Sequence, residues 1–339
     1  MELLYKVKDK IRGRIYSRNI GKSWYLKLYV SYWHSKYHKA KPIYKNYLAA
    51  RPHPDAGIGH QMANWIAGYW FAKVFDLRFA HIPFSKSHEG IGVTPWEDFL
   101  GFGVGEKRVS DLVKHEGYKI VRIPFFDEEE LEEISVINSI IDSYSDRKTI
   151  FLCEQNQYFK NQYLIADELQ NKFYSVSAKR KGANLFSNDQ VNIAVHVRRG
   201  DIVQTAIPEN EQNTNLSMRW LDDDYYINVI EQVLNLLDTQ KKVQIFLFSQ
   251  GNEEDFQAYR KFKSIRFCLD VSARDSFEHM CYADILITSK SSFSYKPALL
   301  NRGIKVCPAD FWHGYPDSND WLLADNNGAI LSPHHIVIK

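Results

Sequence analysis

The sequence lacks the features that define several broad classes of protein. Its 339 residues contain no run of about 18 uncharged apolar residues, which excludes a predicted membrane-spanning helix. The amino-terminal segment MELLYKVKDKIRGR has no apolar stretch of the kind found in secretory signals. Cysteine is scarce, no C-x-x-C pair occurs, and the common zinc-ribbon and redox spacings are therefore absent. The four cysteines are scattered along the chain, at Cys153, Cys268, Cys281 and Cys307, which suits a reducing compartment, and we expect a cytoplasmic protein.

Several catalytic motifs are also missing. There is no G-x-x-x-x-G-K-[ST] loop, no G-x-S-x-G elbow and no H-E-x-x-H pair, which argues against P-loop NTPases and two classes of hydrolase. Asp222-Asp223-Asp224 contains the Asp-x-Asp pattern that binds a divalent metal in many sugar-nucleotide enzymes. These carboxylates open a predicted helix, however, where they stabilise the helix dipole. We therefore expect no metal site there.

Positive charge is concentrated at the amino terminus. Residues 1–45 carry a net charge of +10 and the remainder carries −8, and the same segment holds seven Tyr and two Trp. Cations interleaved with aromatic rings are typical of a surface that contacts an anionic membrane. A solvated face whose rings pack on the folded body is an alternative, and nucleic-acid binding through phosphate contacts and base stacking is a weaker one. We expect no nucleic-acid partner.

Alternating strand and helix patterns organise the rest of the chain into two α/β regions. We predict a basic arm over 1–50, a first domain over 51–185 and a second, Rossmann-like domain over 186–339. Ligands of such sheets lie beyond the carboxyl ends of the strands. Predicted strands are Arg78–Ile82, Lys119–Ile123, Thr149–Cys153, Asn192–Val197, Val243–Phe248, Arg266–Leu269, Asp284–Thr288 and Lys305–Cys307. Predicted helices are Gln61–Phe75, Asp127–Tyr144, Asp224–Leu237, Ser276–Tyr282 and Phe293–Leu300.

The sharpest motif is His196-Val-Arg-Arg-Gly-Asp201, directly after a predicted strand. Arginine is always charged, and its planar fork matches the oxygens of a phosphate. Because neighbouring residues of an extended segment face opposite ways, we expect one of Arg198 and Arg199 to face the ligand. A structural ion pair, such as Arg199 with Asp201, is the alternative fate. We favour phosphate binding for Arg198.

A second motif, Thr288-Ser-Lys-Ser-Ser-Phe-Ser294, joins a predicted strand to a predicted helix. Hydroxyls and backbone N–H groups at a helix amino terminus form an anion site, although Ser291 and Ser292 are equally suited to plain helix capping. Upstream, Asp275 opens another helix. Its carboxylate either caps that helix or accepts the N1 and N2 hydrogens of a guanine.

A third motif, Gly57-Ile-Gly59-His60-Gln61, leads into a helix that is apolar on nearly every face. The glycines allow a tight turn and a close approach of the backbone. Because histidine side chains titrate near neutral pH, His60 is a candidate general base, with a core or capping histidine as the alternative. Asp201 and Glu209 are further candidates for the base.

In combination, these motifs resemble the fucosyltransferase superfamily, most closely the α-1,2-fucosyltransferases of glycosyltransferase family 11. That family carries an H-x-R-R-G-D segment, matched by His196–Asp201, and an S-S-F-S loop, matched by Ser291–Ser294. Its G-x-G-N-Q loop is matched by Gly57–Gln61, with His60 in place of Asn. The likeness runs from about residue 55 to 310.

The resemblance implies a metal-independent GT-B fold, in which two Rossmann-like domains face a central cleft and the second domain binds the nucleotide. It implies that Arg198 binds a phosphate of GDP-fucose, that Ser291, Ser292 and Phe293 cradle the diphosphate, and that Asp275 reads guanine. The other residues expected around the donor are His196, Arg199, Gly57, Gly59 and Gln61. The catalytic candidates are Arg198, His60 and Asp201.

We therefore expect an inverting fucosyltransferase that moves L-fucose from GDP-fucose to a glycan hydroxyl, by default through an α-1,2 linkage to galactose. No cofactor is expected. The basic arm suggests peripheral contact with the inner face of a membrane, where lipid-linked precursors of bacterial surface polysaccharides serve as acceptors. Alternatives are a transferase of the same fold for another nucleotide sugar and a non-catalytic glycan- or membrane-binding protein.

Overall fold

The structure, a computed structural model, describes residues 43–53, 56–85, 95–154, 159–177, 185–199, 218–269 and 271–338. These residues form two compact units, the first of residues 43–85 and 103–159 and the second of residues 95–102 and 160–338. The division differs from the predicted boundary at residue 185. Residues 166–177 pack with the second unit, because Gln170 donates a hydrogen bond to the carbonyl of Leu299 and Tyr174 to that of Cys281.

Strands and helices alternate along both units. The strands are β1 Tyr47–Ala50, β2 Arg78–His81, β3 Lys107–Arg108, β4 Lys119–Arg122, β5 Thr149–Cys153, β6 Gln190–His196, β7 Leu237–Asp238, β8 Lys242–Phe248, β9 Ile265–Cys268, β10 Ile285–Ile287, β11 Ile304–Pro308, β12 Trp321–Ala324 and β13 Ile336–Val337. The α-helices are α1 Ile58–Val74, α2 Trp96–Leu100, α3 Val109–His115, α4 Leu131–Asp142, α5 Ala166–Ser177, α6 Asp223–Leu236, α7 Ala273–Tyr282 and α8 Ser292–Leu300. Short 3-10 helices span Gln162–Ile165 and Glu253–Lys261.

The first unit is built on a parallel five-stranded sheet in the order β3-β2-β1-β5-β4. Its central strand, β1, is buried at all four positions. The predicted arm over 1–50 is therefore wrong at its end, since residues 47–50 belong to the core of the sheet. On one face Tyr47 and Ala49 pack with Leu112 of α3. Residues 1–42 of the predicted arm lie outside the described residues.

Helix α1 covers the other face of this sheet at close range. A methyl group added to Gly68 would collide with the side chain of Ala50. Glycine at this position therefore permits the approach of helix to strand that the buried core requires. The helix is buried along most of its length, as its apolar sequence predicts.

The second unit contains a parallel six-stranded sheet in the order β12-β11-β10-β6-β8-β9. Read from β9, this is the order third, second, first, fourth, fifth and sixth of the dinucleotide-binding Rossmann sheet. Helices cover both faces, since Ile193 and Val195 pack with Ile230 of α6 while Ala194 packs with Met280 and Ala298. The prediction of α/β units with parallel sheets is confirmed.

Each predicted strand and helix has an observed counterpart whose ends agree to within a few residues. The elements that were not predicted are strands β1, β3, β7, β12 and β13 and helices α2, α3 and α5. Within the described ranges, no helix combines the length and the apolar character needed to cross a bilayer.

Candidate functional site

The strand order of the second unit identifies where a ligand site belongs. Strands β6 and β10 are neighbours, and the chain continues from them in opposite directions across the sheet. Parallel α/β sheets bind ligands at such a switch point, outside the carboxyl ends of the strands. Here the two ends are followed by residues 197–199 and by Thr288–Ser291, which carry two of the three motifs found in the sequence.

His196, the last residue of β6, ties the two strand ends together. Its Nδ1 lies 2.9 Å from Oγ of Ser289, and Ser289 in turn approaches Oγ of Ser294 at 3.3 Å. Burial, and secondarily the charge of Arg198, lowers the pKa of His196 to about 3. The ring is therefore neutral at physiological pH, and it packs beside the ring of Phe293 at a centroid distance of 5.5 Å.

Arg198 faces the start of α8. Its Nη1 donates to Oγ of Ser291 at 3.4 Å, and Ser291 is the N-cap of the helix, accepting from the backbone N–H of Phe293. The backbone N–H groups of Lys290 and Ser292 have no hydrogen-bond partner among the described residues. A guanidinium, a hydroxyl and backbone donors at a helix amino terminus together form an anion-binding arrangement.

Arg199 points away from this arrangement and performs a structural role. Its side chain is only 9% exposed and pairs with the carboxylate of Asp223 at 2.5 Å. It also donates to the carbonyls of Arg198 and Leu221 and stacks on Trp220, with 4.1 Å between guanidinium carbon and ring centroid. The ion-pair alternative thus describes Arg199, with Asp223 as the partner in place of Asp201.

Two of the three successive aspartates are engaged in contacts within the fold. Asp222 is the N-cap residue of α6 and accepts a hydrogen bond from the indole of Trp220, while Asp223 binds Arg199 and the hydroxyl of Tyr259. Among the described residues, no group of three or more His, Cys, Asp or Glu side chains could hold a metal ion.

Asp275 lies at the start of α7. Its carboxylate accepts from the hydroxyl of Ser272 at 2.6 Å, and its backbone N–H donates to the oxygen of the same serine. The cap of this helix is therefore Ser272, and the Asp275 carboxylate holds the hydroxyl of that cap instead of capping the helix itself. A carboxylate held by one hydroxyl retains further lone pairs for a ligand.

The loop after β11 contributes residues that the sequence motifs did not reveal. Nζ of Lys290 lies 3.3 Å from the carboxylate of Asp310, and Nε2 of His313 lies 3.4 Å from Oγ of Ser292. His313 is buried and stacks on Tyr295 with 3.7 Å between centroids. Burial, together with the charges of Lys296 and Arg219, lowers its pKa well below the usual range. The only sequence signal was an aromatic run, Phe311-Trp312-His313, after a strand.

The glycine motif lies in the first unit, at the start of α1. Gly57 has an ordinary φ of −61° and precedes the helix, and a Cβ at this position would meet nothing within 4 Å. The predicted tight turn is therefore not what requires glycine there. Gly59 is buried in the first turn, and Gln61 is a structural bridge, donating to the carbonyl of Ala56 and accepting from the N–H of Ser85. The ring centroids of His60 and His53 are 6.1 Å apart.

The first unit has its own switch point, between β1 and β5. Arg51 follows β1 and Glu154 follows β5, and their charged groups are 3.5 Å apart. Arg122, at the end of β4, lies 3.8 Å from the same carboxylate. Two guanidiniums therefore share one carboxylate at this edge.

The structure thus brings His196, Arg198, Ser291, Ser292 and Phe293 together, and places Asp275 at a separate helix terminus. Gly57, Gly59, His60 and Gln61 form a second group in the first unit. Arg199 is used structurally. Asp201 and Glu209 lie outside the described residues.

Comparison with known proteins gives matches to solved structures only. No protein-family model matches the chain, and no curated protein matches it. One similar structure is NodZ α-1,6-fucosyltransferase co-crystallized with GDP, with a TM-score of 0.46, 14% identity and coverage of 84% of this chain and 97% of that one. POFUT1 in complex with GDP-fucose gives a TM-score of 0.44 at 14% identity, covering 78% and 97%.

A third similar structure is a variant of Arabidopsis thaliana FUT1 in complex with GDP, with a TM-score of 0.42, 12% identity and coverage of 92% and 80%. All three TM-scores are below 0.5.

Proposed function

We propose that the protein is a fucosyltransferase that uses GDP-fucose as donor and binds its diphosphate at the β6/β10 switch point. The observation that carries this proposal is Arg198 directed at the N-cap serine of α8, beside backbone N–H groups that no described residue engages. The similar solved structures, which hold GDP or GDP-fucose, are compatible with it. The H-x-R-R-G-D and S-S-F-S motifs that this site unites are those of the family that the sequence resembles.

The chemistry required of this site is charge stabilisation. The acceptor hydroxyl oxygen forms a bond to C1 of fucose as the bond from C1 to the phosphate oxygen breaks, and its electron pair leaves on the diphosphate. Arg198 and the amino terminus of α8 are placed to stabilise that charge, which makes metal-independent transfer our proposal. His196, kept neutral by burial, adds hydrogen bonding without adding charge. In-line attack inverts the configuration at C1.

The hydroxyl proton requires an acceptor, for which we propose His60. A Cβ added to Gly57, one turn before this histidine, would meet no described atom within 4 Å, so the space beside this turn is open. Asp201 and Glu209 remain proposals as alternative bases. We further propose that the Asp275 carboxylate reads guanine, that the linkage is α-1,2 to galactose, and that the acceptor is a precursor of a bacterial surface polysaccharide.

The deciding experiment is thermal unfolding with GDP, UDP and GDP-fucose, each in EDTA and then in magnesium. A ligand at about 100 times its Kd adds about 2.7 kcal/mol to the free energy of unfolding. We expect stabilisation by GDP and GDP-fucose, none by UDP, no effect of EDTA, and loss of the response in Arg198→Ala. Absence of a GDP response in the wild-type protein would overturn the proposal.

We also propose that the basic segment of residues 1–45 contacts an anionic membrane, which would bring the protein to lipid-linked acceptors. Co-sedimentation with vesicles of phosphatidylglycerol and phosphatidylcholine tests this. A variant with the Lys and Arg residues of the segment changed to Gln should lose binding. Equal sedimentation of the two proteins would contradict the proposal.

A further inference from the structure

Lys290 is a buried cation that belongs to the serine loop itself. Its side chain is 8% exposed, while its partner Asp310 is 78% exposed. Asp310 stands after β11 and also accepts a hydrogen bond from Asn326 at 3.2 Å. The ion pair therefore joins a cation that water barely reaches to an anion that water solvates well.

This asymmetry makes Asp310 the exchangeable partner. An exposed carboxylate gains little from an ion pair, since water replaces the cation at small cost. A buried ammonium, in contrast, needs an anion or several acceptors to offset its lost hydration. A phosphate that reached Lys290 could therefore displace the carboxylate, leaving Asp310 hydrated and still bonded to Asn326.

Lys290 is the neighbour in sequence of the serine that Arg198 contacts. Ser291, the next residue, accepts from Arg198, and the unengaged backbone N–H groups of residues 290 and 292 flank that serine. Arg198 approaches the loop from β6, whereas Lys290 extends toward the loop after β11. The cationic groups therefore stand on the two sides of one anion-binding loop.

A second buried group on the β11 side has unused hydrogen-bonding capacity next to this loop. His313 contacts Ser292 through Nε2, and its buried Nδ1 has no hydrogen-bond partner among the described residues. A buried polar atom without a partner is costly unless a ligand or water satisfies it. Groups that can bind an anion or donate hydrogen bonds are therefore found on both the β6 side of this loop, at Arg198, and the β11 side, at Lys290 and His313.

We propose that Lys290 is a second phosphate-binding cation of this site, which exchanges Asp310 for a phosphate oxygen and thereby makes the site prefer nucleoside diphosphates to monophosphates. This inference rests on the proposed function, because it assigns the second phosphate of the same ligand. Arg198 provides for one phosphate and Lys290 for the other.

Calorimetric titration of the full chain with GDP and GMP tests the assignment. Lys290→Gln should lower the affinity for GDP about tenfold, the effect of losing one charge-assisted hydrogen bond. It should lower the affinity for GMP by less than about twofold. Asp310→Asn removes the competing carboxylate, so it should raise the affinity for GDP about two- to fivefold. Lys261→Gln, which breaks a surface pair with Glu231 on the same unit, is the matched control and should leave both ligands unchanged.

The outcomes separate this inference from the proposed function. A wild-type protein that does not bind GDP overturns both. An unchanged ratio of GMP to GDP affinity in Lys290→Gln overturns only the role of Lys290. Weaker GDP binding by Asp310→Asn, equal to that of Lys290→Gln, would mean that the pair merely anchors the β11 loop. If Lys290→Gln does not fold, Asp310→Asn alone decides: tighter GDP binding supports the exchange, and unchanged or weaker binding overturns it.

Discussion

Both units have a parallel sheet with a switch point, but the charged residues that follow the carboxyl ends of the strands there have different partners. At the switch point of the second unit, the guanidinium of Arg198 faces the hydroxyl of Ser291 at the amino terminus of α8. At the switch point of the first unit, Arg51 and Arg122 both approach Glu154. The shared topology fixes where a ligand would bind, and the loop residues decide its charge.

The consequence is a division of chemical roles. A helix amino terminus with a cation is suited to a diphosphate, whereas an edge whose guanidiniums are already paired is suited to an uncharged, hydroxyl-rich molecule. We infer that the donor belongs to the second unit and that the sugar acceptor belongs to the first. The variants below are ordered from the largest expected effect to the smallest.

The adjacent arginines should give opposite results when each is replaced by alanine. Arg199→Ala leaves Asp223 without its buried partner, and we expect a loss of about 3–5 kcal/mol in the free energy of unfolding. Arg198→Ala should change stability by less than about 1 kcal/mol and abolish GDP binding. Urea unfolding and GDP titration of both variants check this. Comparable destabilisation by the two substitutions would contradict the division of roles.

The buried histidine at the second switch point predicts that stability falls in acid. The unfolded chain protonates His196 near its usual pKa of about 6.5, whereas the folded protein does so only near pH 3. Stability from this group is thus complete above pH 6.5 and is lost as the pH falls, by about 1.4 kcal/mol per pH unit. His279 and His313, whose pKa values are also lowered by burial, add to the slope.

Urea midpoints measured from pH 7.5 to 5.5 test the slope. His196→Gln should flatten it by the share of one histidine, while His335→Gln, at an exposed position, should leave it as in the wild type. Identical slopes for all three proteins would show that His196 does not remain neutral in the folded state.

Ser291 allows helix capping and ligand binding to be separated. Ser291→Ala removes the N-cap of α8 and should cost about 1 kcal/mol in the free energy of unfolding. Ser291→Asp keeps a capping oxygen, so it should retain stability, yet its charge should repel a diphosphate and weaken GDP more than alanine does. If aspartate binds GDP as well as serine does, the diphosphate does not lie at this helix terminus.

Sequence patterns predicted most of this architecture because burial and helix or strand periodicity are local. Strand β1 escaped because Tyr-Leu-Ala-Ala is short, buried throughout and without alternation. The alternation of side chains along an extended segment predicted that one of Arg198 and Arg199 faces the ligand. It could not identify the side chains that each arginine contacts. Asp223 reaches Arg199 from 24 residues away, and Asp310 reaches Lys290 from 20. Contacts between residues that are far apart in the sequence do not produce a periodic pattern, so they could not be predicted from it.

The smallest expected effect tests the electrostatics of the first unit. Glu154→Gln removes the carboxylate shared by Arg51 and Arg122 but keeps its shape, and because these pairs are partly exposed the free energy of unfolding should change by less than about 0.5 kcal/mol. The edge should instead gain affinity for anions, since two guanidiniums now lack that counter-charge.

Inorganic phosphate is the appropriate probe for this gain, applied in an Arg198→Ala background so that the second unit contributes as little as possible. We expect phosphate to raise the melting temperature of the Glu154→Gln double variant more than that of Arg198→Ala alone. Asp76→Asn, which breaks an exposed pair with Lys45 in the same unit, controls for the loss of one negative charge. An equal response of all three proteins would mean that Glu154 does not set the charge preference of this edge, and the contrast between the two switch points would then rest on the second unit alone.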